Sequence, residues 1–529
     1  MYNSVPLPRD SVIDVVCDAI NGMGPPDPHR RGFMTRERAA ATLDAFKQAG
    51  KRPIAPIDLA EAPLRKNVTM AAGLAYYDLR APALNIFPTV TPIRNSVRRI
   101  QTQFPGDAYY FKTVNSTTGS GPAAIGWVPE GRRAASMSYS TSSTTLNFAT
   151  LGEEDSVTEE ALIAADGFED EAALIQLRTM LRLFAKQEMA LLGGNRSLPI
   201  GVPTAPTVTA TGSLGTLGTA TYSVIVVGLT AEGYANSSLA GGVSQALNIT
   251  GNDGQTFVLN MGSGNKSLNA TQSLTSGQNL TATTPVLPGA SAYAWYVGAA
   301  GAETLQAITG ANSATFSAPL TAGAQSASAI TANCSTNTAL AYDGLLTWGL
   351  KSGSGAYVNT LASGAGLTVG NDGAIAEVDN MFKTMWLSNF LSPTVLYAST
   401  SGVRAMANIA VTSSTAPLLG DASVDVSVTP QGVIAWLFNP YNADGGCKVK
   451  VAAHPYMPPG TVLGWAERLP IWYTTNALPS PAIVSARMDT YMEVWPRVQR
   501  TIYFGVYSQE VLAVHTPFAI GIINNITGA

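Results

Sequence analysis

Apolar residues recur most regularly between Glu169 and Asn195. The apolar positions of this segment are Leu174, Leu177, Leu181, Phe184 and Leu191. Their spacings of three, four and seven place them on one face of a helix. Acidic residues open the segment, where the helix dipole favours negative charge, and two glycines follow it as a stop. The pattern predicts a helix over Glu169–Leu192, about 36 Å long at roughly 1.5 Å per residue. Periodicity alone favours an ordinary amphipathic core helix.

Three more elements follow from patterning in the second half of the chain. A second amphipathic helix is predicted over Glu377–Phe390, ended by Pro393. A strand over Thr394–Ala398 and a short helix from about Ser401 come next. After Lys448 the chain alternates well and is interrupted by prolines, so it predicts sheet strands joined by turns.

Residues 105–150 have the pattern of a long hairpin. Tyr109–Val114 and Ser136–Phe148 show partial alternation of strand-forming residues, and the sequence between them is full of turn formers. A two-stranded hairpin is not stable alone in water. It therefore needs a partner surface, most simply another copy of the protein.

Residues 1–104 are predicted to form an extended arm, because their many prolines prevent long helices or strands. Short helices are expected over Val12–Ile20 and Thr35–Ala49. The arm is basic, with 14 Lys and Arg against 9 Asp and Glu. It is either a solvated linker or a tether that lies across a neighbour or faces nucleic acid. Scattered apolar residues that need cover favour the tether.

Residues 197–340 differ from the rest of the chain in charge. Only Glu232, Asp253, Lys266 and Glu303 are charged there, whereas the whole chain holds 31 Lys and Arg and 35 Asp and Glu. The shift marks an inserted domain, and short β runs with turn signals between them predict an immunoglobulin-type sandwich. Its aromatic core candidates are Tyr222, Tyr293, Trp295 and Tyr296. The predicted strands are Thr207–Thr211, Thr221–Gly228, Val243–Ile249, Thr256–Asn260, Ala292–Val297, Glu303–Ile308 and Ala314–Phe316.

Composition excludes several classes of protein. The chain has 529 residues, enough for two to four domains, and only 12% of them are charged. The net charge of −4 gives no general attraction to nucleic acid or an anionic membrane. Three widely separated cysteines form neither a disulfide framework nor a zinc spacing. We expect no signal peptide and no membrane span, because no sufficiently long apolar run occurs.

Candidate chemistry is sparse. His29, His454 and His515 lie in separate segments and match no metal-ligand spacing, and we interpret His454 as a strand-end residue. The sequence GSGNKS from Gly262 lacks the spacer of a phosphate-binding loop, so we interpret it as a hairpin turn. The acidic cluster from Glu153 to Glu160 has no catalytic partner nearby. We therefore predict no enzyme, no cofactor and no metal site, and interpret the cluster as a solvated or subunit-facing edge.

Three segments together resemble the major capsid proteins of tailed bacteriophages, which have the Hong Kong 97-like fold. FPTVTPIRNSVRR (Phe87–Arg99) is similar to the stretch before that family's extended loop. KQEMALLGGN (Lys186–Asn195) is similar to the end of its long helix. KVKVAAHPYMPPGTVLGWAERLP (Lys448–Pro470) is similar to a late strand followed by Pro-Gly. The order of the elements supports the resemblance from about residue 80 to the end, apart from the insertion.

The resemblance implies an α+β capsid fold carrying an all-β, immunoglobulin-like sandwich. The long helix would be the spine of a peripheral domain, and the insertion would project from the outer shell surface. The implied domains are an N-terminal arm (1–104), an extended β-hairpin loop (105–150), a peripheral domain (151–198), the immunoglobulin-like insertion (199–339), mainly an axial domain (340–485) and strands that return to the peripheral domain (486–529).

The implied function is self-assembly into the icosahedral head shell of a virion that encloses double-stranded DNA. Expected partners are copies of the chain in pentamers and hexamers, a portal, decoration or scaffolding proteins, and packaged DNA bound without sequence specificity on the inner face. Lys112 lies near the base of the hairpin, so we predict no lysine crosslink. The residues predicted to make subunit contacts are Arg94, Arg98, Arg99, Lys112, Trp127, Glu130, Arg132, Arg133, Glu153, Glu154 and Asp155.

Two other classes stay open from the residues. Another virion part, such as a tail-tube or decoration protein with an immunoglobulin-like domain, fits the β-rich insertion but has no need of the long helix and hairpin. A carbohydrate-active or adhesive surface protein is disfavoured by the missing signal peptide and the missing pair of catalytic carboxylates. The insertion is also a candidate for weak glycan binding within a capsid.

Overall fold

The computed structural model describes most of the chain beyond residue 88. The described residues are 89–102, 106, 108–116, 127–133, 140–165, 171–212, 214–250, 254–322, 324–370, 374–412, 436–442, 446–469, 480–497 and 499–528. The two helices predicted in the N-terminal arm lie outside these ranges, as do most residues of the hairpin between its two strands.

The described residues form a mixed α+β structure with many strands and few helices, which confirms the predicted α+β class. The helices are α1 (Pro92–Ser96), α2 (Glu159–Ala165), α3 (Glu171–Gly193), α4 (Ala231–Ala235), α5 (Leu345–Leu350), α6 (Ala376–Asn389) and α7 (Thr400–Thr412), with short 3-10 turns at Ala327–Ala329 and Pro517–Ala519.

The strands are β1 (Arg98–Gln101), β2 (Ala108–Ser116), β3 (Ser140–Asn147), β4 (Ala149–Thr158), β5 (Thr207–Thr211), β6 (Ala220–Leu229), β7 (Ala246–Thr250), β8 (Thr256–Asn260), β9 (Ser263–Lys266), β10 (Ala270–Leu274), β11 (Asn279–Thr283), β12 (Ala292–Gly298), β13 (Thr304–Thr309), β14 (Ser313–Phe316), β15 (Tyr357–Thr360), β16 (Val395–Ala398), β17 (Trp436–Asn439), β18 (Cys447–Ala453), β19 (Val462–Trp465), β20 (Ala482–Val494), β21 (Thr501–Val514) and β22 (Ile520–Asn524).

The chain divides into two compact units. The first consists of Met1–Thr91, Thr150–Lys186 and Arg487–Gln509, and the second of Pro92–Ala149, Gln187–Ala486 and Glu510–Ala529. Helix α3 and strands β4, β20 and β21 each contribute residues to both units.

The predicted long helix is observed as α3. Its described part is Glu171–Gly193, which ends one residue beyond the predicted Leu192. The predicted start at Glu169 lies outside the described residues. In the first unit its Ile175 packs with Val157 of β4 and Phe504 of β21 in a small apolar core. The face that packs runs through Ile175, Thr179 and Leu183. The predicted stripe was therefore only partly right: Phe184 and Leu191 are buried, whereas Leu174, Leu177 and Leu181 are half-buried.

Strands β1, β20, β21 and β4 form a four-stranded sheet in that order. Strand β1 pairs in parallel with the start of β20, with Arg98 opposite Ile483 and Gln101 opposite Ala486. The sequence predicted neither β1 nor β4. Strand β21, within the predicted strand-rich tail, runs unbroken for 14 residues.

The predicted hairpin is observed as the antiparallel pair β2 and β3. The register joins Ala108 to Asn147 and Val114 to Thr141. The described part of the second strand is Ser140–Asn147, and β4 follows it almost at once. The predicted start at Ser136 lies outside the described residues.

The insertion consists mainly of two antiparallel sheets. One has the order β10-β6-β12-β13 with β9 beside β6, and the other has the order β14-β11-β5. Val226 and Trp295 of the first sheet pack against Leu280 and Phe316 of the second. Three of the four predicted core aromatics, Tyr293, Trp295 and Tyr296, are buried; the immunoglobulin type itself stays a prediction.

Three strands of the insertion were missed, namely β9, β10 and β11. The predicted hairpin turn in GSGNKS was wrong, because Ser263–Lys266 pairs with β6 as β9. Small and polar residues form these strands because neighbouring strands supply the hydrogen bonds, which local propensity does not reveal.

A six-stranded sheet in the second unit has the order β15-β22-β19-β16-β18-β17. Helix α6, predicted within one residue at each end, packs Met381 onto this sheet where glycines leave room. A Cβ at Gly521 would lie 2.5 Å from the Met381 sulfur, and one at Gly464 would lie 2.9 Å from its terminal methyl carbon. The two glycines therefore let the helix approach the strands closely.

The last strand, β22, lies between β15 and β19 in the six-stranded sheet. Its run of isoleucines is fully buried, as expected for a strand covered on both faces. The predicted return of residues 486–529 to a peripheral domain stays a prediction.

Candidate subunit interface

The hairpin is anchored at its base by one face of β2. Phe111 and Thr113 are buried, and the Phe111 ring lies 5.0 Å from the His515 ring and 6.3 Å from the Trp348 ring. The Val114 amide donates to the His515 carbonyl at 2.8 Å. These contacts hold β2 against His515 and Trp348 of the same unit.

The opposite face of β2 is exposed. Tyr110 is 75% exposed, and Lys112, one of the predicted contact residues, is exposed two positions further along. They lie opposite Thr145 and Ser143 of β3. Alternation along the strand thus separates an anchoring face from a face of aromatic, basic and hydroxyl side chains.

The described segment 127–133 of the hairpin holds four predicted contact residues, all exposed. Trp127 is 91% exposed, and Glu130, Arg132 and Arg133 are also exposed. The backbone turns at Gly131, which has φ of 71°, in the left-handed region that glycine tolerates. Exposed tryptophan and arginine are the residue types that anchor protein interfaces.

The acidic cluster is largely paired within the first unit. Glu153 is buried and accepts bonds from Arg182 at 2.6 Å and from Lys186, and Asp155 accepts from Arg178 at 3.1 Å. The three cations lie four residues apart on α3, so they form one row facing β4. Glu153 and Asp155 are thus paired within their own chain, and their predicted subunit contacts stay predictions.

Glu154 lies on β4 between the two paired carboxylates and is exposed. The Tyr507 hydroxyl donates to it. Burial raises the pKa of Tyr507, and the hydrogen bond to Glu154 raises it further. Glu154 is thus the member of the predicted trio that still faces solvent.

The three predicted arginines of the 94–99 segment have different environments. Arg98 is exposed, whereas Arg94 and Arg99 are buried. The Arg94 Nε donates to Gln187 at 2.7 Å, and Arg99 pairs with Glu510. Arg94 and Arg99 bond inside their own chain, so we do not carry them into the proposed interface.

A buried polar network around Glu188 was missed by the sequence analysis. The Glu188 carboxylate accepts from the amides of Ile93 and Arg94 at 2.8 and 2.7 Å, and from His454 Nε2 at 2.7 Å. The Tyr456 amide donates to His454 Nδ1 at 3.2 Å, which fits a neutral ring with its proton on Nε2. His454 thus joins three segments of the second unit.

A second buried carboxylate, Glu510, lies in the same unit. It accepts from Gln187 at 3.0 Å and from the Tyr342 hydroxyl at 2.9 Å, besides its pair with Arg99. Burial, reinforced by the Glu510 charge, raises the pKa of Tyr342 well above its usual value. Gln187 and Glu188 are adjacent polar residues near the end of an otherwise apolar helix. Polar residues at such a place need buried partners, and this signal could have revealed both networks.

His515 supports the hairpin base. Its Nδ1 lies 3.3 Å from the Lys112 carbonyl, to which it donates. Burial lowers the pKa of His515, while the bond to Lys112 acts in the opposite direction. The neutral ring is therefore the form that suits the folded hairpin.

The described residues contain neither a metal-binding cluster nor a membrane-spanning helix. Within those ranges, no group of three or more His, Cys, Asp or Glu side chains is arranged to hold a metal ion. No helix among them is long and apolar enough to cross a membrane.

Comparison with known proteins gives structural neighbours only. No protein-family model matches the sequence, and no curated protein matches it. The chain is similar to the capsid of an empty GTA particle, with a TM-score of 0.38 and 8% identity over 84% of this chain and 92% of that chain. It is also similar to the capsid asymmetric unit of cyanophage A-1(L), with a TM-score of 0.38 and 9% identity over 84% and 95% of the two chains. The holo-SrpI encapsulin complex from Synechococcus elongatus PCC 7942 matches with a TM-score of 0.34 and 9% identity over 86% and 96%.

Proposed function

We propose that this chain is the major capsid protein of a tailed bacteriophage and self-assembles into the icosahedral head shell around double-stranded DNA. The observation that carries the proposal is the hairpin, which is anchored at its base through Phe111 and exposes Tyr110 on the opposite face of β2 and Trp127 between its two strands. Within a monomer, these exposed aromatic rings bury little apolar surface. A neighbouring copy that covers the arm gains roughly 25 cal/mol per Å² of buried apolar surface.

The proposed roles of the parts follow the Hong Kong 97-like fold. The hairpin is the extended loop that lies over an adjacent subunit, with Lys112, Trp127, Glu130, Arg132 and Arg133 as its contact residues. Helix α3 is the spine of the peripheral domain, and the six-stranded sheet belongs to the axial domain. Arg98 and Glu154 are exposed and remain contact candidates outside the hairpin.

The insertion is proposed to be an immunoglobulin-like module on the outer surface of the shell, because a domain on the inner surface would collide with DNA. Packaged DNA would contact the inner face without sequence specificity. A portal and decoration or scaffolding proteins are the further partners of such a shell. The proposed role is structural, with the virion as its location.

Electron microscopy of the purified full-length chain tests the proposal. Closed shells, or rings of five and six copies, are the expected result. Long striated tubes would indicate a tail protein instead, and a chain that stays monomeric at high concentration with scaffolding or crowding agents would contradict the proposal.

A substitution tests the hairpin as the contact element. Trp127→Ser should reduce the yield of shells at least tenfold, because a buried aromatic anchor dominates interfaces of this kind. Leu214→Ser is the matched control, since Leu214 is 92% exposed but lies in the insertion. Equal yields from the two variants would remove Trp127 from the interface.

A further inference from the structure

Strands β7 and β8 form a sheet of their own. Among the described strands they pair only with each other. Their register places Leu247 opposite Leu259 and Ile249 opposite Phe257. Directly opposite residues, and residues two apart, share a face of a sheet. These four apolar side chains therefore form one face, called here the ribbon face.

The other face of the same two strands is mainly polar. It carries Asn248, Thr250, Thr256, Val258 and Asn260. The hydroxyls of Thr250 and Thr256 lie 3.2 Å apart across the pair. The two strands thus have the pattern of a sheet with one face on a core and one in water.

The ribbon face is nevertheless exposed. Leu247 is 51% exposed, Ile249 45% and Phe257 54%. A two-stranded sheet is at best marginally stable in water without a covering surface, and both edges of this one lack a described partner strand. The described part of the chain thus leaves the ribbon face open to another molecule.

Charge narrows the choice of partner. Neither β7 nor β8 contains a charged residue. An anionic lipid surface or a nucleic acid needs cations that these strands lack. An apolar, uncharged face fits another such face, and the same face on a second copy is always present in a homo-oligomer.

The apolar area of the ribbon face narrows the choice of partner further. An aromatic side chain buries roughly 150–250 Å², and Leu and Ile are no larger, so three half-exposed side chains offer at most about 300 Å² per copy and about 600 Å² for two copies. Stable interfaces between free proteins bury about 1,200–2,000 Å² in total. A contact of this size is too small to hold two free proteins together. It forms only between partners that other contacts already keep close, because their effective concentration is then high.

We propose that the ribbon faces of two neighbouring copies pack against each other around a local two-fold axis and clamp adjacent subunits together. This inference rests on the proposed function, because the shell supplies the proximity that the small area requires. The contact adds resistance to dissociation and is not needed for the first steps of assembly.

Crosslinking of assembled full-length chains tests the contact. Phe257→Cys is compared with Val258→Cys, which has similar exposure on the opposite face of the same strand. A short bis-maleimide should give at least tenfold more covalent dimer from Phe257→Cys shells than from Val258→Cys shells. The unsubstituted chain, treated in parallel, gives the background from Cys17, Cys334 and Cys447.

The outcomes separate the two proposals. Shells with equal or no dimer from both variants overturn the ribbon contact and leave the capsid function standing. Failure of the unsubstituted chain to form shells under any assembly condition overturns the proposed function and the ribbon contact with it.

A second measurement applies when a cysteine variant does not assemble. Phe257→Asn shells should dissociate at a several-fold lower urea concentration or faster on dilution than unsubstituted shells, whereas Val258→Asn shells should match them. Shells of Phe257→Asn that match the unsubstituted ones in both respects would overturn the proposal. Capture of a different protein by the ribbon face, with no dimer, would also overturn it.

Discussion

Arg94 and Arg99 illustrate how a single residue acquires its role from its surroundings. Both look like surface cations in the sequence, yet both are buried and bonded within the chain. A charge leaves water only where an opposite charge or several hydrogen bonds receive it. Gln187 and Glu510 supply that environment, and they lie 93 and 411 positions away along the chain.

Glu188 offers a direct test at the residue scale. Glu188→Ala leaves two backbone amides and His454 without their acceptor inside the protein, so it should cost about 3–5 kcal/mol of the free energy of unfolding. Urea unfolding of the unassembled chain measures this. Glu160→Ala is the control: its pair with Arg500, 3.3 Å long, is exposed and should be worth at most about 1 kcal/mol. Equal losses from both would contradict the network's importance.

His515 predicts a dependence on pH. Because burial lowers its pKa in the folded state below the usual 6.5, the unfolded chain binds this proton more readily. The resulting stability is fully present above pH 6.5 and is lost as the pH falls toward the lowered value. The thermal midpoint should thus decrease more between pH 7 and 5 for the unsubstituted chain than for His515→Gln. Identical decreases would show that His515 does not couple protons to the hairpin base.

At the scale of elements, the strands of the insertion show why alternation is an incomplete guide. Strand β12 is buried at every position, because its sheet packs on a second sheet on one side and on α4 and the segment before Ile330 on the other. The run AYAWYVG therefore alternates in neither polarity nor burial. Strands β9–β11 show the converse, since small and polar residues became strands only through their neighbours.

Trp295 is the test at this scale. It is fully buried between the two sheets, and its indole Nε1 donates to the Thr309 hydroxyl at 2.8 Å. Trp295→Ala should destabilise the insertion by about 3–5 kcal/mol, measured by limited proteolysis or urea unfolding. Leu268→Ala, at a position that is 77% exposed, should change the free energy of unfolding by less than about 0.5 kcal/mol. A small loss for Trp295→Ala would mean that the two sheets do not form one core.

At the scale of the whole molecule, the insertion enters and leaves at one point. The Asn337 amide donates to the Asn195 carbonyl at 3.0 Å, so the two ends of the inserted segment are neighbours. The two chain segments at the ends of the insertion form its stem. The Asp343 carboxylate holds this stem by accepting hydrogen bonds from the amides of Arg196 and Ser197 at 2.8 and 3.0 Å. These stem contacts do not involve the two sheets of the insertion.

Excision of residues 199–336 with a short Gly-Ser link should therefore leave a chain that folds and still assembles. Electron microscopy of its shells checks this, with the full-length chain as reference. We expect shells of the same diameter that dissociate more readily, because the ribbon faces are gone. An aggregated or unfolded product would show that the insertion is part of the core fold.

The sequence by itself determined the elements whose partners are local or whose pattern is strong. The apolar stripe predicted α3, the charge change located the insertion, and hairpin residues with turn formers between them predicted β2 and β3. These three predictions rest on periodicity and composition, which can be read from neighbouring residues of the sequence. Tertiary structure alone decided which charges are buried, that β22 joins the six-stranded sheet, and that Arg178, Arg182 and Lys186 pair with β4. Those outcomes depend on surfaces brought together from distant parts of the chain, where the free energy of burial and charge pairing overrides local preference.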